Sequence, residues 1–172
     1  SSPFDAYQFA SGAKIGFGPF DENGQGLRKG QLRRALDFAA VTDHAEWIGE
    51  VSMCTFSGSA RYDSKPCRAF RGEVEADDLL GKLLGGSRFT SLMGIGGRPA
   101  EVCGEDGSLC RAAIKSAWQL TQEATEQYYD RSTDCEFTAF HGWEYSDSPM
   151  MSKVHRNVIF RNELVPEIPI SS

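Results

Sequence analysis

Three short apolar runs in this chain each end on ionisable residues. Ala35-Leu36-Asp37-Phe38-Ala39-Ala40-Val41 leads into Thr42-Asp43-His44, which predicts a buried strand with polar residues at its C-terminal end. The segment from Cys135 to Tyr145 has the aromatic and β-branched content of a second strand and closes on Glu144. Lys153 to Arg161, which contains His155 and Arg156, predicts a third. Between the first two, Ile114, Ala117, Trp118, Thr121, Ala124 and Tyr128 recur at helical spacing, predicting a helix from about Leu109 to Tyr129 with Ser108 as its N-cap.

The rest of the pattern is weaker. The first 31 residues are interrupted by Gly12, Gly16, Gly18, Pro19, Gly24, Gly26 and Gly30 and read as loop and turn around one short helix near Ala6 to Ala10. Residues 49 to 105 carry one modest helical pattern, from about Glu73 to Leu84, and read as a long insertion. A turn is expected at Asp147-Ser148-Pro149, and an extended tail through Pro166 and Pro169. Eighteen Gly and seven Pro, placed mostly between apolar runs, point away from a helical bundle and predict a mixed α/β or α+β protein.

Composition narrows the class. A chain of 172 residues, 40% hydrophobic and 24% charged, corresponds to about one globular domain. A formal net charge of -6 and a pI near 5.1 argue against nucleic acid as partner. The densest basic stretch, Leu27 to Arg34, reads as a solvated loop. No apolar run approaches the roughly 20 residues that span a bilayer.

Of the five cysteines, Cys54 with Cys67 and Cys103 with Cys110 each bracket a polar loop. Disulfides, reduced thiols and a metal site all remain open for them, with disulfides and an oxidising compartment preferred, hence a periplasmic or secreted location. Cys135 is left over.

All three histidines fall beside strand ends: His44 after Asp43, His141 ahead of Glu144, and His155 before Arg156. Imidazole and carboxylate together suit divalent Zn, Mn or Fe, and strand ends bring such ligands to one rim. A carboxylate between Trp143 and Tyr145 is costly to bury unless a cation or hydrogen bonds compensate it. Gly94-Ile95-Gly96-Gly97-Arg98 lacks the Lys-Ser/Thr of a nucleotide loop.

Longer words carry a resemblance. Leu36 to Glu46, Phe137 to Tyr145 and Val154 to Arg161, with the lead-in Asp5 to Ala10, resemble an uncharacterised bacterial branch of the polymerase and histidinol phosphatase (PHP) superfamily. The resemblance implies part of a distorted (β/α) barrel, with residues 47–105 as an insertion or lid, whose strand ends hold divalent metals and hydrolyse phosphate esters. It implies His44, Glu144 and His155 as metal ligands, Glu144 bridging two ions. Asp43 would orient a ligand or bound water, and Arg156 would contact a substrate phosphate. His141 matches no ligand position and is expected to be structural.

The superfamily's opening His-x-His pair is absent here, and the resemblance places it upstream of Ser1, with later motifs beyond Ser172. Three ligands fall short of a dinuclear centre, so weak metal binding and poor turnover are expected of this chain by itself. The competing expectation is a disulfide-stapled extracellular binding module without catalysis.

Overall fold

The capping box that opens the chain shows how local sequence starts a fold. The computed structural model describes residues 2–75, 92, 98–147 and 154–170, and its first element is helix α1, Pro3–Ala10. Ser2 Oγ accepts the Asp5 N–H at 3.2 Å, and the Asp5 carboxylate accepts the Ser2 N–H at 2.7 Å. Proline at the first helical position has no N–H to leave unsatisfied. The helix buries Tyr7 and Ala10.

An antiparallel hairpin follows, β1 (Ile15–Phe20) with β2 (Gly26–Gly30), with a register irregularity between Phe17 and Phe20. The Asp21 carboxylate closes its turn by accepting the N–H groups of Asn23 and Gln25. The expectation of loop and turn for this stretch missed the hairpin, because in β1 Ile15 and Phe17 alternate with glycine, a residue that weakens a strand and reads as a turn signal. At Gly26 a Cβ would lie 2.4 Å from the Phe17 nitrogen, so the close approach of the two strands excludes any side chain there.

The chain divides into two compact units. The first takes its described residues from Ser1–His44 and Trp118–Glu167. Within it β3 (Phe38–Ala40) lies parallel to β4 (Thr138–Phe140), pairing Phe38 with Thr138 and Ala40 with Phe140. The buried Tyr7 hydroxyl donates to the Phe140 carbonyl at 3.0 Å, accepts the Val41 N–H at 3.2 Å, and lies 3.0 Å from Thr125 Oγ1. One phenol thereby ties α1 to the C-terminal ends of both strands. Tyr7, Ala10, Ala124, Phe137 and Ala139 form the buried cluster around it.

The predicted second strand is broken in two. β4 ends at Phe140, His141 intervenes, and β5 runs Gly142–Asp147. β5 pairs antiparallel with β6 (Val154–Ile159), so the third predicted strand exists but does not run parallel to its neighbour. Gly142 permits the switch: a Cβ there would lie 2.8 Å from the Val158 carbonyl oxygen and 3.1 Å from Thr42 Cγ2. The parallel ladder nevertheless resumes beyond the break, with His44 opposite Glu144 in the same register.

The second unit comprises the described residues of Ala45–Ala117 with Ile168–Ile170. It holds α2 (Ile48–Thr55), α3 (Lys65–Arg71), α4 (Ala100–Cys103) and the start of α5, which runs Ser108–Tyr128 and continues into the first unit. Ser108 is the first helical residue and not the cap: the Arg111 N–H bonds the Gly107 carbonyl, and the Asp106 carboxylate accepts the Ser108 N–H. Both cysteine pairs are disulfides, Cys54–Cys67 and Cys103–Cys110, and all four residues are buried in one cluster with Leu92 and Val102. Arg71 binds the carbonyls of Cys54 and Tyr62 at 2.9 and 2.7 Å and lies 3.7 Å over the Tyr62 ring.

The architecture is mixed α/β with small sheets and no closed barrel among the described residues. No described helix is long and apolar enough to cross a membrane. Most of the helical pattern expected from Glu73 to Leu84, the glycine run at 94–97, and residues 148–149 of the expected turn lie outside the described residues.

Candidate metal centre

Strand alternation puts the candidate ligands on one face. Along β5, Trp143 and Tyr145 point to one side and Glu144 and Ser146 to the other. Trp143 is buried, its ring 5.4 Å edge-on from Trp118 and 5.0 Å from Phe160, and this packing fixes which side Glu144 must take. In the β5–β6 register His155 stands opposite Ser146, and Asn157 opposite Glu144. His44 arrives from the end of β3 through the Glu144 N–H, which donates to the Asp43 carbonyl at 2.9 Å.

His44, Glu144 and His155 therefore meet, one ligand atom from each lying within 4.8 Å of the others. His44 Nε2 is 3.7 Å from Glu144 Oε2, and the two imidazole rings sit edge to face with centroids 5.5 Å apart. His155 Nδ1 hydrogen-bonds Glu144 Oε1. Buried among them is Ser146, whose Oγ lies 3.0 Å from His44 Nδ1, 3.1 Å from His155 Nδ1 and 3.1 Å from Glu144 Oε1. The hydrogen bond from His155 is the largest influence holding the Glu144 carboxyl below its usual range, with Ser146 and His44 adding to it against partial desolvation. The compensation that a carboxylate beside two aromatics requires is present, from a hydroxyl and two imidazoles.

The other predicted residues are placed differently. Asp43 reaches the site by its backbone carbonyl; its side chain is exposed, yet atoms crowded around the carboxyl raise its pKa, with His44 opposing. Arg156 stands opposite Tyr145, so alternation puts it on the face away from His155 and Asn157. His141 is buried and held by Glu126, whose carboxylate lies 2.7 Å from its Nε2 and is also clamped by Arg131. Its Nδ1 is buried without a hydrogen-bond partner. Sequence reasoning missed Ser146, which touches all three candidate ligands; the two-residue strand period, extended from Glu144, would have found it.

Two imidazoles and one carboxylate are a donor set for Zn, Mn or Fe. Ligand atoms about 2.1 Å from a tetrahedral ion lie roughly 3.4 Å apart, close to the His44–Glu144 separation of 3.7 Å. About half of each histidine side chain is exposed (53% and 51%), which leaves an approach open to water or substrate. The residues fit the group in kind, the His44–Glu144 pair also in spacing, and three ligands suffice for one ion with an open position.

Nucleophilic catalysis by Ser146 is a poorer fit. The hydroxyl is buried, and His155 meets both Ser146 and Glu144 through the same nitrogen, whereas a relay needs one nitrogen for each. A second group, Glu50 with Cys103 and Cys110, also has converging ligand atoms, but the disulfide leaves no thiolate to bind an ion.

A family model described as "Protein of unknown function (DUF3604)" matches residues 1–172. No curated protein and no solved structure matches the chain.

Proposed function

The chain belongs to the DUF3604 family, and from that premise we propose that it supplies part of the divalent metal centre of a hydrolase acting on phosphate esters, of the PHP kind that its strand-end motifs resemble. The observation that carries the reading is the convergence of His44, just beyond β3, with Glu144 of β5 and His155 of β6 onto one polar face. The parallel pairing of β3 with β4, continued at His44 and Glu144, supports a piece of a (β/α) barrel; of the three ligands only His44 follows a strand's C-terminal end as expected, since Glu144 lies within β5 and His155 near the start of β6.

A bound divalent ion supplies Lewis acidity and a water acidic enough to ionise near neutrality. His44 and His155 would hold it through ring nitrogens and Glu144 through a carboxylate oxygen. The Asp43 carbonyl fixes the Glu144 backbone. Asn157, on the ligand face opposite Glu144, would contact a substrate oxygen, and Arg156, on the other face, is not part of the proposal. The two disulfides support a periplasmic or secreted location. They are also what favours the second reading, a disulfide-stapled binding module without metal.

The test is titration of the metal-free chain with Zn²⁺ and Mn²⁺, followed by hydrolysis of a phosphate monoester. Binding that weakens at least about tenfold in both Glu144→Ala and His155→Ala supports the centre. Failure of every version to take up metal while folded transfers the case to the binding module.

A further inference from the structure

We propose that Ser146 is a positioning residue that fixes the tautomer of both candidate ligand histidines, so that His44 and His155 each carry hydrogen on Nδ1 and present the Nε2 lone pair. Its purpose rests on the metal reading above, but the tautomers themselves are measurable without any metal.

The argument is one of hydrogen counting. An ionised carboxylate only accepts, so the contact between Ser146 Oγ and Glu144 Oε1 at 3.1 Å requires the hydroxyl to donate. A serine hydroxyl has a single hydrogen. Toward the two imidazole nitrogens, 3.0 and 3.1 Å away, its oxygen can then only accept, so His44 Nδ1 and His155 Nδ1 must both be N–H. The contact of His155 Nδ1 with Glu144 leads independently to the same assignment for that ring. A neutral imidazole with hydrogen on Nδ1 has its lone pair on Nε2, the form a metal accepts.

Free histidine in water favours the opposite tautomer, so a ligand set of two Nε2 atoms needs something to hold the less favoured one. Ser146 is built to do this for both rings at once. It is 5% exposed, lies directly across the strand pair from His155, and shares the face of Glu144, which pairs with His44. Water competes poorly for such a hydroxyl. A neutral acceptor also adds no charge to a site that already holds a carboxylate. Threonine could replace it; alanine could not.

The experiment uses the whole chain, histidine labelled with ¹⁵N and freed of metal by chelation, at about pH 8.5, some two units above the usual imidazole value. Two-bond ¹H–¹⁵N correlations distinguish the tautomers, and His44→Gln, His141→Gln and His155→Gln assign the rings. Wild type should show Nδ1–H for His44 and His155. In Ser146→Ala at least one of the two should shift toward Nε2–H, while Ser146→Thr keeps both as in wild type. Zn²⁺ affinity should fall about 10- to 100-fold in the alanine variant and recover in the threonine one.

Nε2–H at either ring in wild type overturns the inference, as do unchanged tautomers in Ser146→Ala. A tautomer shift in a chain that never binds zinc supports the role given to Ser146 and overturns the metal reading. If the alanine variant fails to fold, the wild-type spectrum decides alone.

Discussion

In the unit built on β3 to β6, the place of each side chain follows from strand register; in the unit built on α2 to α4, it follows from two covalent cross-links. The first holds Glu144, Ser146, His155 and Asn157 on one face because β5 and β6 pair without a slip from Gly142 to Asp147. The second buries Cys54, Cys67, Cys103 and Cys110 in a single cluster, among helices that run only from Ala100 to Cys103 in the shortest case. Short helices bury little apolar area and are marginal by themselves. Cross-links that raise the free energy of the unfolded chain add to the small core that the described helices share. The proposed metal centre would need directional precision, which register provides, whereas a cross-linked segment needs only closure.

The comparison breaks most directly at Cys54–Cys67. The 13-residue separation corresponds to about 3 kcal/mol of loop-closure stabilisation, so Cys54→Ser with Cys67→Ser should lower stability by that order. Amide exchange should rise first in α2 and α3; an equal loss of protection in β5 and β6 would show that the units do not differ as described. Next in size is Gly142→Ala, which sets a methyl 2.8 Å from the Val158 carbonyl. We expect roughly 2 kcal/mol from the overpacking and weaker metal binding, since β5 must shift; unchanged binding at reduced stability would free the site from dependence on that strand pair.

Tyr7→Phe should cost about 1 to 2 kcal/mol, because it leaves the Val41 N–H and the Phe140 carbonyl without their partner. Chemical denaturation of both chains gives the difference, and a neutral result would mean that water replaces the phenol. The smallest effect concerns pH. Glu50 is buried and its pKa raised above the usual 4.5 by desolvation, opposed by its own backbone and by Arg98 at 2.9 Å. The folded unit then binds a proton that the unfolded chain has released, so this group lowers stability as pH rises above about 4.5. Glu50→Gln should gain on wild type as pH increases through that range; a gap that narrows with pH would reverse the assignment.

Three of the side chains that meet around Ser146 were legible in the sequence because their signals are local. Asp43-His44 ends an apolar run, and Glu144 stands between two aromatics. α5 was legible within one residue at each end, since Ile114, Trp118, Thr121 and Ala124 are buried at helical spacing. What was not legible depends on partners distant in sequence. The hairpin at Ile15 to Gly30 is specified by glycines that let two strands approach, and the same glycines disguise the alternation of Ile15 and Phe17 as a run of turn residues. The break at His141 follows from the space that Thr42 and Val158 leave around Gly142. Ser146 looks like any strand serine until the register sets it between two imidazoles and a carboxylate.

The resumed pairing of His44 with Glu144 also constrains how this family can change through insertion and deletion. From Phe38 to His44 and from Thr138 to Glu144 the two arms advance in step. One residue added to either arm alone would turn the following side chains to the opposite face and pull the ligands apart. Substitutions along these arms are judged singly, whereas length changes are tolerated only as matched pairs. Among relatives that keep the site, the spacings from residue 40 to 44 and from 140 to 144 should therefore be inherited as a unit, while the cross-linked helices are free to gain and lose loop.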